Sequence, residues 1–508
     1  MVKLSPQHIS PRPPVVVVMG HIDHGKSSLL DYIRKTNIVD KEAGGITQHL
    51  SAYEVHHERK EPGYAKSITF LDTPGHHSFS KMRARGAHIA DIAILVVSAE
   101  EGVKEQTKEA LAIIKETAIP YIIAINKIDK PNANIERTKQ NLAENEIYLE
   151  GFGGNVPFVP ISAKVGTGVS DLLDTLLLVA EMEELKGNSS LLAEGTVVES
   201  HIVPSRGTSA TLIITDGTLK KGMFILAEDS LSPVRSIENF MGKNIDDASF
   251  SSPVQITGFD IPPRIGASFH AYSSKKEAES ARALMKENPS KQATIKKDSR
   301  TIALSNEAVV VPISIKTDVA GTLEAIEKEL GKIERERVVL KIVATGIGSI
   351  NENDVKLATG AEGAIIIGFN TKIERGAQDI AERFKITVKS FNVIYELLEW
   401  IESELDARTP KSLTEETTGA LKVLRVFSAT KHKQVIGGKV TVGSITINAQ
   451  VKIMRRDTEI GRGKILELQQ QKIAVKKVDE GNECGMMVES KIKIVQGDVL
   501  ESFVMSEK

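Results

Sequence analysis

Apolar positions along this chain fall into short unbroken runs separated by helical or turn-rich stretches. The first run, Val15–Met19, opens with four β-branched residues in succession and reads as a strand buried on both faces. Ser67–Asp72, Ile119–Ile125 and Phe158–Ile161 read as further strands with helical spacing between them. Residues 13–185 are therefore expected to form a doubly wound α/β domain. The pattern then changes. Residues 193–273 hold brief β-rich runs (Thr196–Val203, Thr211–Thr215) broken at Asp216-Gly217 and Lys221-Gly222, as in an antiparallel barrel. Residues 274–307 are charged and helix-prone, then polar, and read as a connector. Strand–helix alternation returns over 308–392, with strands at Val309–Ile315, Val338–Val343 and Ala364–Phe369 and a helix at Thr322–Ile333: a small α/β sandwich. Residues 393–407 continue as an amphipathic linker helix carrying the only tryptophan, Trp400. Residues 418–508 are again β-rich with glycine turns, a C-terminal barrel. Polar stretches at 1–12, 186–192 and 406–417 read as a flexible lead-in and two linkers. The fold class expected is multidomain, α/β plus β.

Chemistry enters at the ends of the strands. Gly20-His21-Ile22-Asp23-His24-Gly25-Lys26-Ser27 fits G-x-x-x-x-G-K-[ST]. The two glycines let the backbone curl so that successive N–H groups face phosphates. Lys26 supplies a point charge for the β/γ-phosphates, and the Ser27 hydroxyl suits Mg²⁺. Ser28 continues as a helix whose N-terminus favours an anion. The second strand ends in Asp72-Thr73-Pro74-Gly75-His76, where a carboxylate can hold Mg²⁺ through water and Gly75 can offer its N–H to a γ-phosphate. The third ends in Asn126-Lys127-Ile128-Asp129. The Asp129 carboxylate can accept from a guanine's N1–H and exocyclic amine, a pattern adenine lacks, while the Lys127 stem can cover the base. The fourth ends in Ser162-Ala163-Lys164, whose backbone can meet the guanine O6. Ligands collect at strand C-termini in such sheets, and these motifs together specify GTP with Mg²⁺.

The same residues, with Glu42–Leu50 (EAGGITQHL) and Met82–Ala87 (MRARGA), resemble the translational GTPases and, within them, the bacterial translation initiation factor 2 family. The similarity continues through Gly217–Lys220, Ile365–Asn370 and Glu483–Gly485, and so covers nearly the whole chain from Pro13. The resemblance implies a GTPase acting on the ribosome. Asp40–Ser51 would be a first switch, with Thr47 on Mg²⁺ and the γ-phosphate, and Asp72–Ala87 a second. His76 would position the attacking water; whether as imidazole or imidazolium stays open. Ile22 and Ile46 would fence this histidine off, with ordinary core packing as the alternative. Arg83 and Arg85 could simply be solvated. His21, His24, His77 and Ser78 receive no separate role, although His21 and His24 lie within the phosphate loop. The resemblance further implies that the 193–273 barrel docks on the small ribosomal subunit. The C-terminal barrel would receive formylmethionyl initiator tRNA near Glu483, Cys484 and Gly485, with a small buried hydrophobe in a strand as the alternative for Cys484, and the large subunit would then join. Other initiation factors are further candidate partners. Where many members carry a Lys-Arg-aromatic run, this chain has Gln469-Gln470-Gln471, and set beside bacterial members with long N-terminal extensions it is expected to be a short form. Two rivals remain: another translational GTPase such as an elongation factor, against which the 308–508 half argues, and a non-catalytic GTP-binding scaffold, against which His76 argues.

Composition narrows this only slightly. A length of 508 residues suggests roughly three to four domains. The net charge of −2 excludes a globally basic nucleic-acid binder, so RNA contact must come from local patches. From Thr418 onward there are 16 Lys plus Arg against 10 Asp plus Glu, a modest local excess. One cysteine precludes an intramolecular disulfide. The start lacks a signal peptide's apolar core, and no run approaches ~18 apolar residues, so a cytoplasmic protein with no membrane span is expected.

Overall fold

A computed structural model describes residues 9–35, 47–57, 67–203, 206–287, 309–333, 335, 337–409, 413–430 and 432–507. Two compact units emerge, Met1–Arg408 and Thr409–Lys508. In the first, a six-stranded sheet is ordered Ser51–His56, Ser67–Asp72, Val15–Gly20, Ile92–Ser98, Tyr121–Asn126, Phe158–Pro160. Only the Ser51–His56 edge strand is antiparallel. The β-branched run behaves as its composition dictates. Val16 and Val18 enter one core, under the Val169–Met182 helix, and Val15, Val17 and Met19 enter the other, under the Glu105–Thr117 helix. Parallel pairing aligns the C-terminal ends of these strands along one edge, which places the motifs together.

Ile92–Ser98 was not among the expected strands. All seven of its residues are buried in the middle of the sheet, and the run IAILVVS signals it, though no motif marks its end. Tyr121 starts the next strand later than expected because Pro120 has no N–H to donate; its carbonyl still accepts from Ala93.

The flexible lead-in and the 186–192 linker need correction. Ile9–Pro11 pairs antiparallel with Lys186–Asn188. Arg12 makes a two-pronged pair with Asp91, whose carboxylate also accepts from the Val15 N–H. Partners so distant in the chain leave no local signal at a polar, proline-rich segment. Residues 1–8 lie outside the described residues.

Residues 194–272 form an eight-stranded antiparallel sheet around its own core, including the two expected strands as Glu194–Val203 and Gly207–Asp216. The Lys275–Glu287 helix begins the expected connector, the rest of which lies outside the described residues. A four-stranded parallel sheet follows, ordered Val338–Ile347, Val309–Thr317, Ile365–Phe369, Thr387–Phe391, with helices on both faces. Phe79 and Met82, which follow the Asp72–His76 turn, are buried in one of its cores. The Ile394–Arg408 helix lays Ile394, Leu397, Ile401 and Leu405 into that same core, and Trp400 packs against Phe391 at 5.5 Å. It is thus an integral helix of the sandwich.

The second unit is an antiparallel barrel. Its ring of strands closes where Leu413–Ala429 pairs with Lys433–Thr446. The first strand starts at Leu413, inside the stretch expected to be linker.

Candidate nucleotide site

The phosphate loop is a turn only glycine can make. Gly20 and Gly25 have φ of 142° and 88°. A Cβ at Gly20 would stand 2.4 Å from the Val96 carbonyl oxygen, and one at Gly25 would stand 2.3 Å from the Asn126 amide nitrogen. Asn126 explains the second constraint. Its Nδ2 donates to the His24 carbonyl at 2.8 Å, and its Oδ1 accepts from the Ala163 N–H at 2.9 Å. One buried side chain staples the phosphate loop to the Ser162–Lys164 loop. Ile22 N–H donates to Gln106 Oε1 at 2.8 Å, a second brace from the Glu105–Thr117 helix. The His24 side chain is fully buried, and its Nδ1 accepts from the Ser98 N–H at 3.3 Å. Burial, then His21, lowers its pKa to about 4, and the two rings lie 5.0 Å apart.

Lys26 opens the Lys26–Arg34 helix, and its ammonium donates to the Gly20 and His21 carbonyls at 2.9 and 2.7 Å. Burial draws its pKa down to about 8, opposed by nearby Asp72. The Ser27 and Thr47 hydroxyls lie 3.1 Å apart. Thr73 donates to the Val18 carbonyl at 2.8 Å and pins the strand-to-turn junction. Gly75 passes so near the loop that a Cβ would meet Lys26 Nζ at 2.7 Å and Ile22 at 3.3 Å. At the other end, Asp129 accepts from the Ser162 hydroxyl at 2.7 Å, which holds its carboxyl below the usual range and keeps it ionised.

These groups line one cavity of about 350 Å³ with Ser28, Lys127, Ala163 and Lys164, and with Tyr395 from the sandwich. His76 and Asp23 also line it, whereas the expected site residues Gly20, His21, His24, Asp72, Pro74 and Ser162 do not. Ile46 falls outside the described residues. A larger cavity of about 1030 Å³ opens at His49, Glu199 and Asp318 and contains none of the four nucleotide motifs.

His76 is buried. Its Nδ1 accepts from the Ser78 N–H at 3.3 Å, so a neutral ring carries its proton on Nε2. Burial, then His77, pulls its pKa down to about 4. In this conformation the side chain is a neutral imidazole.

Arg83 corrects another expectation. It is fully buried, donates to the Pro74 and His76 carbonyls at 2.9 and 2.5 Å, and pairs with Glu109 at 2.6 Å. It braces the Asp72–His76 turn. Arg85 is partly buried on Glu324 of the sandwich. Helical spacing alone could not say which side of that helix meets protein. Gln48 and Tyr395 also escaped sequence reasoning. Their contacts span more than 300 residues of chain.

In the barrel, Glu483–Ser490 alternates outward and inward. Glu483 is exposed, whereas Cys484 is buried among Ile436, Met486 and Val488. Burial pushes its thiol up to about 11. The Cys484 side chain therefore belongs to the core, the second of the two readings its strand allowed. Gln469 pairs with Gly485, and Gln470 with Ile473, so the glutamine run edges the hairpin beside that strand.

Residues 12–182 match the family described as Elongation factor Tu GTP binding domain, 192–272 Elongation factor G domain 2, and 285–402 Translation-initiation factor 2. The chain is 41% identical to translation initiation factor IF-2 of Halalkalibacterium halodurans over 100% of its own length and 69% of that protein. It is also 41% identical to that of Bacillus subtilis, over 98% and 69%. GDP-bound aIF5B from Aeropyrum pernix is 26% identical, matched over 97% of this chain and 92% of that one, with a TM-score of 0.46.

Proposed function

The chain belongs to the translation initiation factor IF-2 family of GTP-binding proteins, and from that premise we propose that it brings formylmethionyl initiator tRNA to the small ribosomal subunit, promotes joining of the large subunit and hydrolyses GTP there. The observation that carries the GTP chemistry is the convergence of all four motifs on one cavity at the strand ends.

In this reading the phosphates lie against the loop N–H groups and the start of the Lys26–Arg34 helix, with Lys26 on the β/γ side. Asp129, ionised and oriented by Ser162, takes the guanine's N1–H and amine. The residues fit Mg²⁺. Ser27 and Thr47 offer adjacent hydroxyls, and Asp72 adds a buried carboxylate, a hard all-oxygen set that phosphate and water would complete. When bound, Mg²⁺ would neutralise charge on the phosphates. His76, with Nδ1 taken by Ser78, has an Nε2–H that can orient water or a phosphate oxygen by donation. Positioning and charge carry phosphoryl transfer in this reading, with no protein nucleophile. Working limits for dissecting these roles are 9–188, 193–273, 309–408 and 413–508, which keep the edge strands and the Ile394–Arg408 helix with the cores they complete.

The test is GTP turnover with and without ribosomal subunits, read beside binding of formylated and unformylated initiator tRNA. Strong stimulation by subunits together with preference for the formylated form supports the reading. Turnover indifferent to ribosomes, with no tRNA preference, would leave only a GTP-binding scaffold.

A further inference from the structure

The Ile394–Arg408 helix carries a residue that packing of the sandwich does not require. Ile394, Leu397, Ile401 and Leu405 fill the core. Tyr395 instead lines the nucleotide cavity. Its ring stands edge-on to His76, with centroids 4.4 Å apart and planes at 79°, the arrangement aromatic rings favour.

The chain around the start of this helix also grips the first switch. Gln48 Nε2 donates to the Asn392 carbonyl at 2.8 Å, and the Ile394 N–H donates to Gln48 Oε1 at 3.3 Å. Gln48 is buried and directly follows Thr47. Phe79 and Met82, shortly after His76, share a core with Ile394 and Leu397. One helix start thus touches both switches through packed, hydrogen-bonded contacts, and rearranging either must disturb the other.

His76 itself is held on several sides. Ser78 engages Nδ1, the His77 ring lies 3.9 Å away, and Tyr395 covers another side. The charged groups that act on it are Arg83 from the Ser80–Ile89 helix, and Glu329 and Lys332 at the end of the Ala320–Leu330 helix. Asp23 of the phosphate loop lies within electrostatic reach of Tyr395.

We propose that Tyr395 is a positioning residue that latches His76 in a shielded orientation, and that the grip on Gln48 ties release of the latch to rearrangement of the first switch. The proposal rests on the assignment of hydrolysis to His76. In the free factor the latch keeps the histidine idle. A partner that shifts the sandwich against the switches frees it.

The experiment uses the full chain without ribosomes. Single-turnover GTP hydrolysis is measured from pH 5 to 8 for wild type, Tyr395→Ala, Tyr395→Phe, His76→Ala and the Tyr395→Ala/His76→Ala double variant, beside GTP binding and melting. Tyr395→Ala should hydrolyse GTP about tenfold faster, a restraint within the reach of one aromatic pair. Its pH profile should move upward relative to wild type, because uncovering the ring relieves part of the burial that lowers the His76 pKa. Tyr395→Phe keeps the edge-on ring and should return most of the restraint. The double variant should show no rise. Gln48→Ala opens the grip without touching the sandwich core and should raise the rate in the same direction, by less. It decides the matter if Tyr395→Ala loses its fold. A folded Tyr395→Ala that hydrolyses no faster, a rise that survives in the double variant, or an unchanged Gln48→Ala rate overturns the latch. A companion assay adds ribosomal subunits to His76→Ala, and full stimulated turnover there would instead overturn the assignment of His76.

Discussion

The strand-end cavity of the first unit and the outer face of the C-terminal barrel present their side chains in opposite ways. In the cavity, the groups sit on loops at the C-terminal ends of parallel strands, where a few positions force the backbone. Gly20 and Gly25 allow no Cβ, and Asn126 locks two loops together. Spacing there fixes geometry. In the barrel, a three-residue match lies along a strand, and the pleat sends neighbours to opposite faces. Glu483 is exposed and Cys484 is interior. A motif on a loop can be a site as it stands. On a strand, only every other residue can be.

The largest expected effect tests the loop side of this contrast. His76→Ala should still bind nucleotide but lose ribosome-stimulated turnover by about 10²–10⁴, the typical loss for one positioned catalytic group. Equal stimulated rates would make His76 structural and weaken the contrast. On the barrel side, Gln469→Lys with Gln470→Arg places cations on the hairpin beside Gly485. Affinity for formylated initiator tRNA should tighten several-fold at low salt and less at high salt, because the gain is phosphate attraction. If titrations at two salt concentrations show no change, recognition does not lie on this hairpin. The smallest effect concerns Cys484. A thiol pushed up to about 11 forms little thiolate at pH 8. Alkylation of the native protein at that pH should run about a hundredfold slower than for an unperturbed thiol, even before access is counted, and should quicken as pH rises toward the thiol's own. Labelling at the rate of a free peptide thiol would place Cys484 on the surface after all.

The same contrast explains how much was legible in the sequence. The phosphate loop, Asp72–His76, Asn126–Asp129 and Ser162–Lys164 were readable because each motif is short and ends a buried run, and the sheet then gathers them. The β-rich and mixed regions were readable from strand-length apolar runs. What escaped depends on distant partners. Ile9–Arg12 gains order from Lys186–Asn188 and Asp91. The burial of Arg83 depends on where its helix packs. Asn126 lines the cavity as expected, but its second role as a staple between two loops depends on backbone groups that the motif does not contain. Gln48 and Tyr395 meet their partners only through the sandwich. The core placement of Cys484 follows from a strand register that a tripeptide match does not contain.

The central claim is that the strand ends form a guanine-specific nucleotide site, and Asp129 tests it most directly. The measurement is binding of GTP, ATP and xanthosine triphosphate to wild type and to Asp129→Asn. Wild type should bind GTP and reject ATP. The variant should exchange guanine for xanthine, whose C2 oxygen can accept from the new amide. Equal binding of GTP and ATP by the wild-type chain would contradict the account.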